Sequence, residues 1–227
     1  MNRKIVFLLI LLFAIVLSSC ATVKTEEDRI PFSVKEFLRV NGDDFENYQV
    51  SDIRDLKDYS SHQMSYIVHE DADEVWSDYI STDPVIAFDS RIIDFGIVYN
   101  SGESTLYTPE NQPVPHFAEG QIYILDLKLL GFYQIPVAFK ISEIDSKKKL
   151  IEFVYLENNV SNGCQRITLS SENDEEGEQI TVVKHTSFFR SGKAFRDKYL
   201  YPPFHNQTVK DFHENIFRIN GLEWSIQ

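Results

Sequence analysis

Between residues 92 and 190 of this 227-residue chain, one alternating segment follows another, each bounded by turn residues. No other feature constrains the fold as much. "IIDFGIVY" (92–99) places Ile93, Phe95, Ile97 and Tyr99 on one face of an extended strand, because successive side chains of a strand point to opposite sides. "GQIYILDLKLLG" (120–131) places Tyr123, Leu125, Leu127 and Leu129 on one face, with Asp126 and Lys128 on the other. "QIPVAFKISEI" continues with Ile135, Val137, Phe139 and Ile141, and "LIEFVYLE", "CQRITLS" and "QITVVKHTSFF" complete six strands. Turn signals separate them: "GF" at 131–132, "DSKKK" at 145–149, and the acidic "SENDEEGE", whose like charges suit a solvated hairpin tip around Gly177. The last segment lacks the regular ligand spacing of a calcium loop. Consecutive strands joined in this way pair antiparallel and bury one face.

Helices flank the strands. "MSYIVH" alternates like a strand, and "DADEVWSDYI" then offers Asp71 as N-cap with Glu74 three residues on, a capping-box-like start. Pro84 keeps any second helix here short. At the other end, "YPPFHNQTVKDFHENI" (201–216) predicts a helix from near Pro203 to Asn220, with Gly221 as its stop. At about 100° per residue, Val209, Phe212, Ile216 and Ile219 form one stripe, and Lys210, Glu214 and Arg218 lie opposite. His205 falls within the stripe and His213 at its edge.

Strand, helix, six antiparallel strands and a long C-terminal helix, from "MSYIVHEDADEVWSDYI" through "ITVVKHTSFFR" to "PFHNQTVKDFHENIFRIN", is an order that resembles the START-like (SRPBCC) helix-grip superfamily of polyketide cyclases and lipid-transport proteins. The resemblance covers roughly residues 62–222 and carries no catalytic motif. It implies an α+β helix-grip fold, a curved antiparallel sheet of about seven strands wrapped around the C-terminal helix with a cavity between them. Members of the superfamily bind lipids, sterols, polyketides or hormones, and a minority are cyclases, hydrolases or oxygenases.

If the apolar side of each strand is concave, the lining comprises Phe95, Tyr99, Tyr123, Leu125, Leu127, Val137, Phe139, Phe153 and Tyr155. Such a surface suits an apolar ligand, and it also describes a filled core. In "QITVVKHTSFF", Lys184 and Arg190 are natural solvent-facing residues, which sends Thr181, Val183, His185, Ser187 and Phe189 inward, toward His205. The candidate ligand-binding set is therefore Tyr99, Tyr123, Leu125, Phe139, Phe153, Tyr155, His185, Ser187, His205 and Phe212. A Ser/His pair raises a hydrolase reading, but no "GxSxG" elbow or acidic orienter accompanies it. Zinc calls for three or four ligands at characteristic spacing, and His205 and His213 sit about 80° apart on their helix. No catalytic set, metal or cofactor is assigned. Residues 100–118, with Pro109, Pro113 and Pro115, form a long connection that is expected to act as a lid, with His116 outside the site.

The N-terminus speaks to location. Arg3 and Lys4 precede thirteen apolar residues, Ile5 to Leu17, too few to cross a bilayer comfortably but right for the core of an export signal. "LSSC" then resembles the bacterial lipobox, which implies cleavage before Cys20 and lipidation of that cysteine. The expected organisation is a signal peptide at 1–19, a tether at 20–60 with a short helix of one or two turns at the apolar pattern "PFSVKEFLRV", and one domain at 61–227. With Cys20 lipidated, Cys164 is the sole thiol, so no internal disulfide can form. A net charge of −13 repels phosphate backbones and excludes nucleic acid as an expected partner. The expected function is that of a membrane-tethered, extracytoplasmic lipoprotein of a bacterial cell envelope that binds an apolar or amphipathic, lipid-like small molecule. Two alternatives stand beside it: a cyclase- or hydrolase-type enzyme using His185 and His205, and a structural envelope lipoprotein with a filled core.

Overall fold

A computed structural model describes residues 30–108, 113–129 and 133–227. The export signal with Cys20, Pro109 and the expected "GF" turn at 131–132 lie outside the described residues. Among the described residues nine strands form one antiparallel sheet: β1 (Ser60–Val68), β2 (Ile93–Asn100), β3 (Thr105–Tyr107), β4 (Ile122–Leu129), β5 (Tyr133–Asp145), β6 (Leu150–Tyr155), β7 (Asn162–Asn173), β8 (Gln179–Arg190) and β9 (Trp224–Ile226). Their spatial order is β3-β2-β4-β5-β6-β7-β8-β1-β9. Sequential hairpins run from β4 to β8, and β1 returns to pair with β8 in a continuous register from Ser60↔Phe189 to Val68↔Thr181. The count exceeds seven because three-residue strands, too short to show alternation, extend both edges. Sharp turns fall where the sequence places them, with positive φ at Lys149 and Gly177.

Between β1 and β2 the chain must pass from one end of the sheet to the other, and two helices make the crossing. α2 (Ala72–Ser81) starts at Asp71, whose side chain accepts from the Asp73 N–H, and α3 (Pro84–Ala87) is a single turn with Pro84 at its start. The C-terminal helix α4 (Tyr201–Asn220) follows a π-helical turn at Arg196–Leu200 and ends at Gly221, φ 69°. The sheet's inner face packs on α2 and α4 through Tyr66, Val75, Tyr79, Tyr123, Phe139, Ile167, Val183, Phe212, Ile216 and Phe217. This is an α+β helix-grip architecture.

The structure corrects several local expectations. β2 does not keep one face throughout: its pairing with β4 shifts between Phe95 and Ile97. Ile93, Phe95 and Val98 therefore join the inner core, whereas Ile97 and Tyr99 pass to the outer face. Gly96 permits this bulge. A Cβ there would collide with the Ile124 carbonyl oxygen and approach Val34 Cγ2 within 2.8 Å. On α4, Ile219 is 57% exposed, and Phe217 fills the inner position instead.

The tether reading also fails for residues 30–60. Helix α1 (Phe32–Asn41), from the "PFSVKEFLRV" pattern, lies across the outer face of the sheet and buries Val34 and Phe37. They form a second core with Phe45, Ile97, Ile122, Ile124 and Leu156. Ser33 donates to Oδ1 of the buried Asp126 carboxylate at 2.6 Å, which partners one oxygen of a group that strand alternation alone would have assigned to solvent. Burial under α1 raises the Asp126 pKa above the ordinary carboxyl value, against the opposing hydrogen bond from Ser33. The folded body thus includes the described residues from Ile30 onward rather than starting at residue 61.

Candidate ligand-binding cavity

α2 and α3 cover only the C-terminal half of α4. Tyr79 packs against Phe212 and Phe217, Phe88 against Phe212 with centroids 4.9 Å apart, and Asn215 donates to the carbonyls of Ala87 and Asp89. No such helices back the N-terminal half, and there a cavity of about 580 Å³ lies between α4 and the sheet. Its walls are apolar: Leu125 and Leu127 from β4, Val137 and Phe139 from β5, Phe153 from β6, and Phe204, Val209 and Phe212 from α4. The most exposed lining residues, Tyr133 (60%), Leu200 (44%) and Val160 (39%), mark its opening, with Arg196 beside them.

One side of the cavity is polar, and its groups form a connected chain. Tyr155 and Tyr201 share a hydrogen bond between hydroxyls at 2.7 Å. The Gln165 side-chain N–H donates to the Tyr155 hydroxyl at 2.6 Å, and its Oε1 lies 2.7 Å from His185 Nε2. His185 Nδ1 lies 2.8 Å from His213 Nε2, and His213 Nδ1 meets the Tyr79 hydroxyl. An amide oxygen only accepts, so His185 carries its proton on Nε2 and accepts at Nδ1. His213 must then donate from Nε2 and accept at Nδ1 from Tyr79. With both rings kept neutral by burial, each is fixed in one tautomer.

The electrostatics agree with that assignment. Burial pushes His185 and His205 well below the usual imidazole range and His213 down to about 3. It raises Tyr155 to about 12, and lifts Tyr201 and Tyr79 well above the ordinary phenol value. His205 stacks on Tyr201 with centroids 5.1 Å apart, and its Nε2 lies 2.6 Å from the Ser187 hydroxyl. The Nδ1 atoms of His205 and of its neighbour His62, 5.6 Å away between ring centroids, have no hydrogen-bond partner. Among the described residues no three of His, Cys, Asp and Glu converge as a metal site.

Seven of the ten candidate residues line the cavity: Leu125, Phe139, Phe153, Tyr155, His185, His205 and Phe212. Tyr99 does not, because the β2 bulge turns it to the outer face, where it stacks on Phe45 and donates to Glu46. Tyr123 packs behind the wall, stacked on Phe139, with its hydroxyl donating to Gln121. Ser187 is fully buried and reaches the cavity only through His205. His213, expected at the rim, is fully buried, because Tyr66, Tyr79, His185 and Phe217 enclose it. The expected lid is corrected too. Val114 and Phe117 are buried in the inner core, and none of the described residues of 100–118 lines the cavity.

The sequence reading missed Gln165 and Tyr201, although both carried a signal. Alternation along "CQRITL" puts Gln165 on the face of Ile167 and Leu169, and Tyr201 stands four residues before His205, one turn along the same stripe.

No family model matches the sequence, and no curated protein sequence matches it significantly. Among solved structures, the chain is similar to major latex-like protein 151 of Panax ginseng at 12% identity, over 70% of this chain and 95% of that one, with a TM-score of 0.46. It is also similar to norcoclaurine synthase of Thalictrum flavum, solved with dopamine and hydroxybenzaldehyde, at 13% identity over 72% of this chain and 88% of that one, with a TM-score of 0.48. At identities and scores this low, function is argued from this chain's own geometry. No helix among the described residues is long and apolar enough to cross a membrane.

Proposed function

We propose that this protein binds an apolar or amphipathic, lipid-like small molecule between its sheet and α4, and that it does so while tethered through a lipidated Cys20 to a membrane of a bacterial cell envelope, outside the cytoplasm. The observation that carries the binding reading is the cavity itself: about 580 Å³, walled by aliphatic and aromatic side chains, with polar groups gathered on one side. Pockets of that size and lining hold small molecules by burial of apolar surface and orient them by a few polar contacts. The tether is supported by the order of charge, apolar run, small residues and cysteine in the first twenty residues.

The Ser187–His205 pair gives the hydrolase reading little support. A nucleophile must meet its substrate, yet Ser187 is fully buried and does not line the cavity, and both His185 nitrogens are engaged by Gln165 and His213. The test is saturable binding of N-phenyl-1-naphthylamine, an uncharged apolar fluorophore. One probe per chain is expected, with binding weakened in Leu127→Trp, whose added bulk takes up part of the cavity; absence of saturable binding would leave a filled core as the better reading.

A further inference from the structure

We propose that the cavity selects molecules whose polar end is an uncharged oxygen acceptor, a hydroxyl or carbonyl, over molecules of the same length that end in a carboxylate. This deepens the binding reading above and rests on it. Two observations carry it: the number of protons at the polar side of the cavity, and the absence of positive charge there.

The Tyr155 hydroxyl accepts from Gln165 and shares one hydrogen bond with Tyr201. Two hydroxyls bring two protons. One makes the bond between them, and the other has no acceptor among the described residues. It is a surplus donor on a pair of side chains that both line the cavity. His205 adds none, since its unpartnered Nδ1 is closed off from the cavity. The surplus tyrosine donor calls for an acceptor on the ligand.

The sign of the charge follows from the same inventory. Tyr155, Gln165, His185, Tyr201 and His205 make up this polar side, Asn159, Ser161 and Thr208 are the other uncharged polar residues of the lining, and Arg196 is the only charged residue among the described lining. Arg196 stands at the opening and donates to the Val160 carbonyl at 3.2 Å. A carboxylate driven to the tyrosine pair would give up its water in exchange for neutral dipoles alone, which costs more than the hydrogen bonds return. A hydroxyl or carbonyl accepts the same hydrogen bond with no charge to desolvate.

The test is displacement of N-phenyl-1-naphthylamine from the purified full-length protein by dodecanol, dodecanone, dodecanoate and dodecane, at about pH 8, where dodecanoate is ionised. Dodecanol and dodecanone should displace the probe at about tenfold lower concentration than the other two, a difference of about 1.4 kcal/mol. The carbonyl stretch of bound dodecanone should lie below its position in hexane and move back toward it in the Tyr155→Phe/Tyr201→Phe double variant. Dodecanoate competing as well as dodecanol, or a stretch in the unaltered protein unshifted from hexane, would overturn the proposal. Failure of the probe itself to bind, or of all four compounds to displace it, would instead strike the binding reading, and this inference with it.

Discussion

The three buried histidines make stability depend on pH in a defined direction. In the folded protein burial holds His185 and His205 well below the usual imidazole range and His213 at about 3, whereas in the unfolded chain all three titrate near 6.5. Above about pH 6.5 both states are neutral and the histidines contribute no pH dependence. As pH falls below that value, the unfolded chain takes up protons that the native chain refuses, so stability drops by up to about 1.4 kcal/mol per pH unit per histidine until the folded values are reached. Urea unfolding between about pH 7.5 and 5.5 should show a falling midpoint; an unchanged midpoint would contradict the neutral assignment. His213→Phe should destabilise by about 2–4 kcal/mol, because it leaves both the Tyr79 hydroxyl and His185 Nδ1 unpaired. His205→Phe should cost stability less, since it strands only the Ser187 hydroxyl. The inward direction of His185, Ser187 and His205 was legible from strand and helix periodicity. The depth of His213 was not, because residue spacing places a side chain on a stripe and says nothing of what α2 brings against it.

At the scale of elements, the strands were legible wherever alternation was regular, as in β4, β5 and β8, and illegible where the backbone broke it. The Gly96 bulge switches Tyr99 from one core to the other, and no side-chain pattern announces a bulge that depends on the missing side chain of a glycine. Gly96→Ala should therefore destabilise by about 1–3 kcal/mol or more, since the obstacle is the Ile124 backbone, which cannot swing aside. α1 was misread for a different reason: its apolar positions are few, and their partners lie on the outer face of a sheet whose Asp126 and Lys128 suggested solvent. If α1 belongs to the fold, Phe37→Ala should lower the stability of the whole domain by about 3–5 kcal/mol in chemical denaturation. A tether would leave the midpoint unchanged.

For the whole molecule, element order led to the helix-grip architecture, but an apolar concave face looks the same in sequence whether it is packed or open. What decides is the reach of α2 and α3, which back α4 around Phe212–Phe217 and leave Tyr201–Val209 facing space. The tether is a separate claim at this scale. Cys20→Ser should abolish lipidation and release the protein from membranes that otherwise retain it through salt washing; membrane retention unchanged by the substitution would remove Cys20 as the anchor. The central claim, that the cavity between sheet and α4 is a binding site, is tested most directly by native mass spectrometry of the protein purified from cells. The account predicts one lipid-like mass per chain, diminished in Leu127→Trp, and a bare chain in every preparation that also binds no added apolar molecule would contradict it.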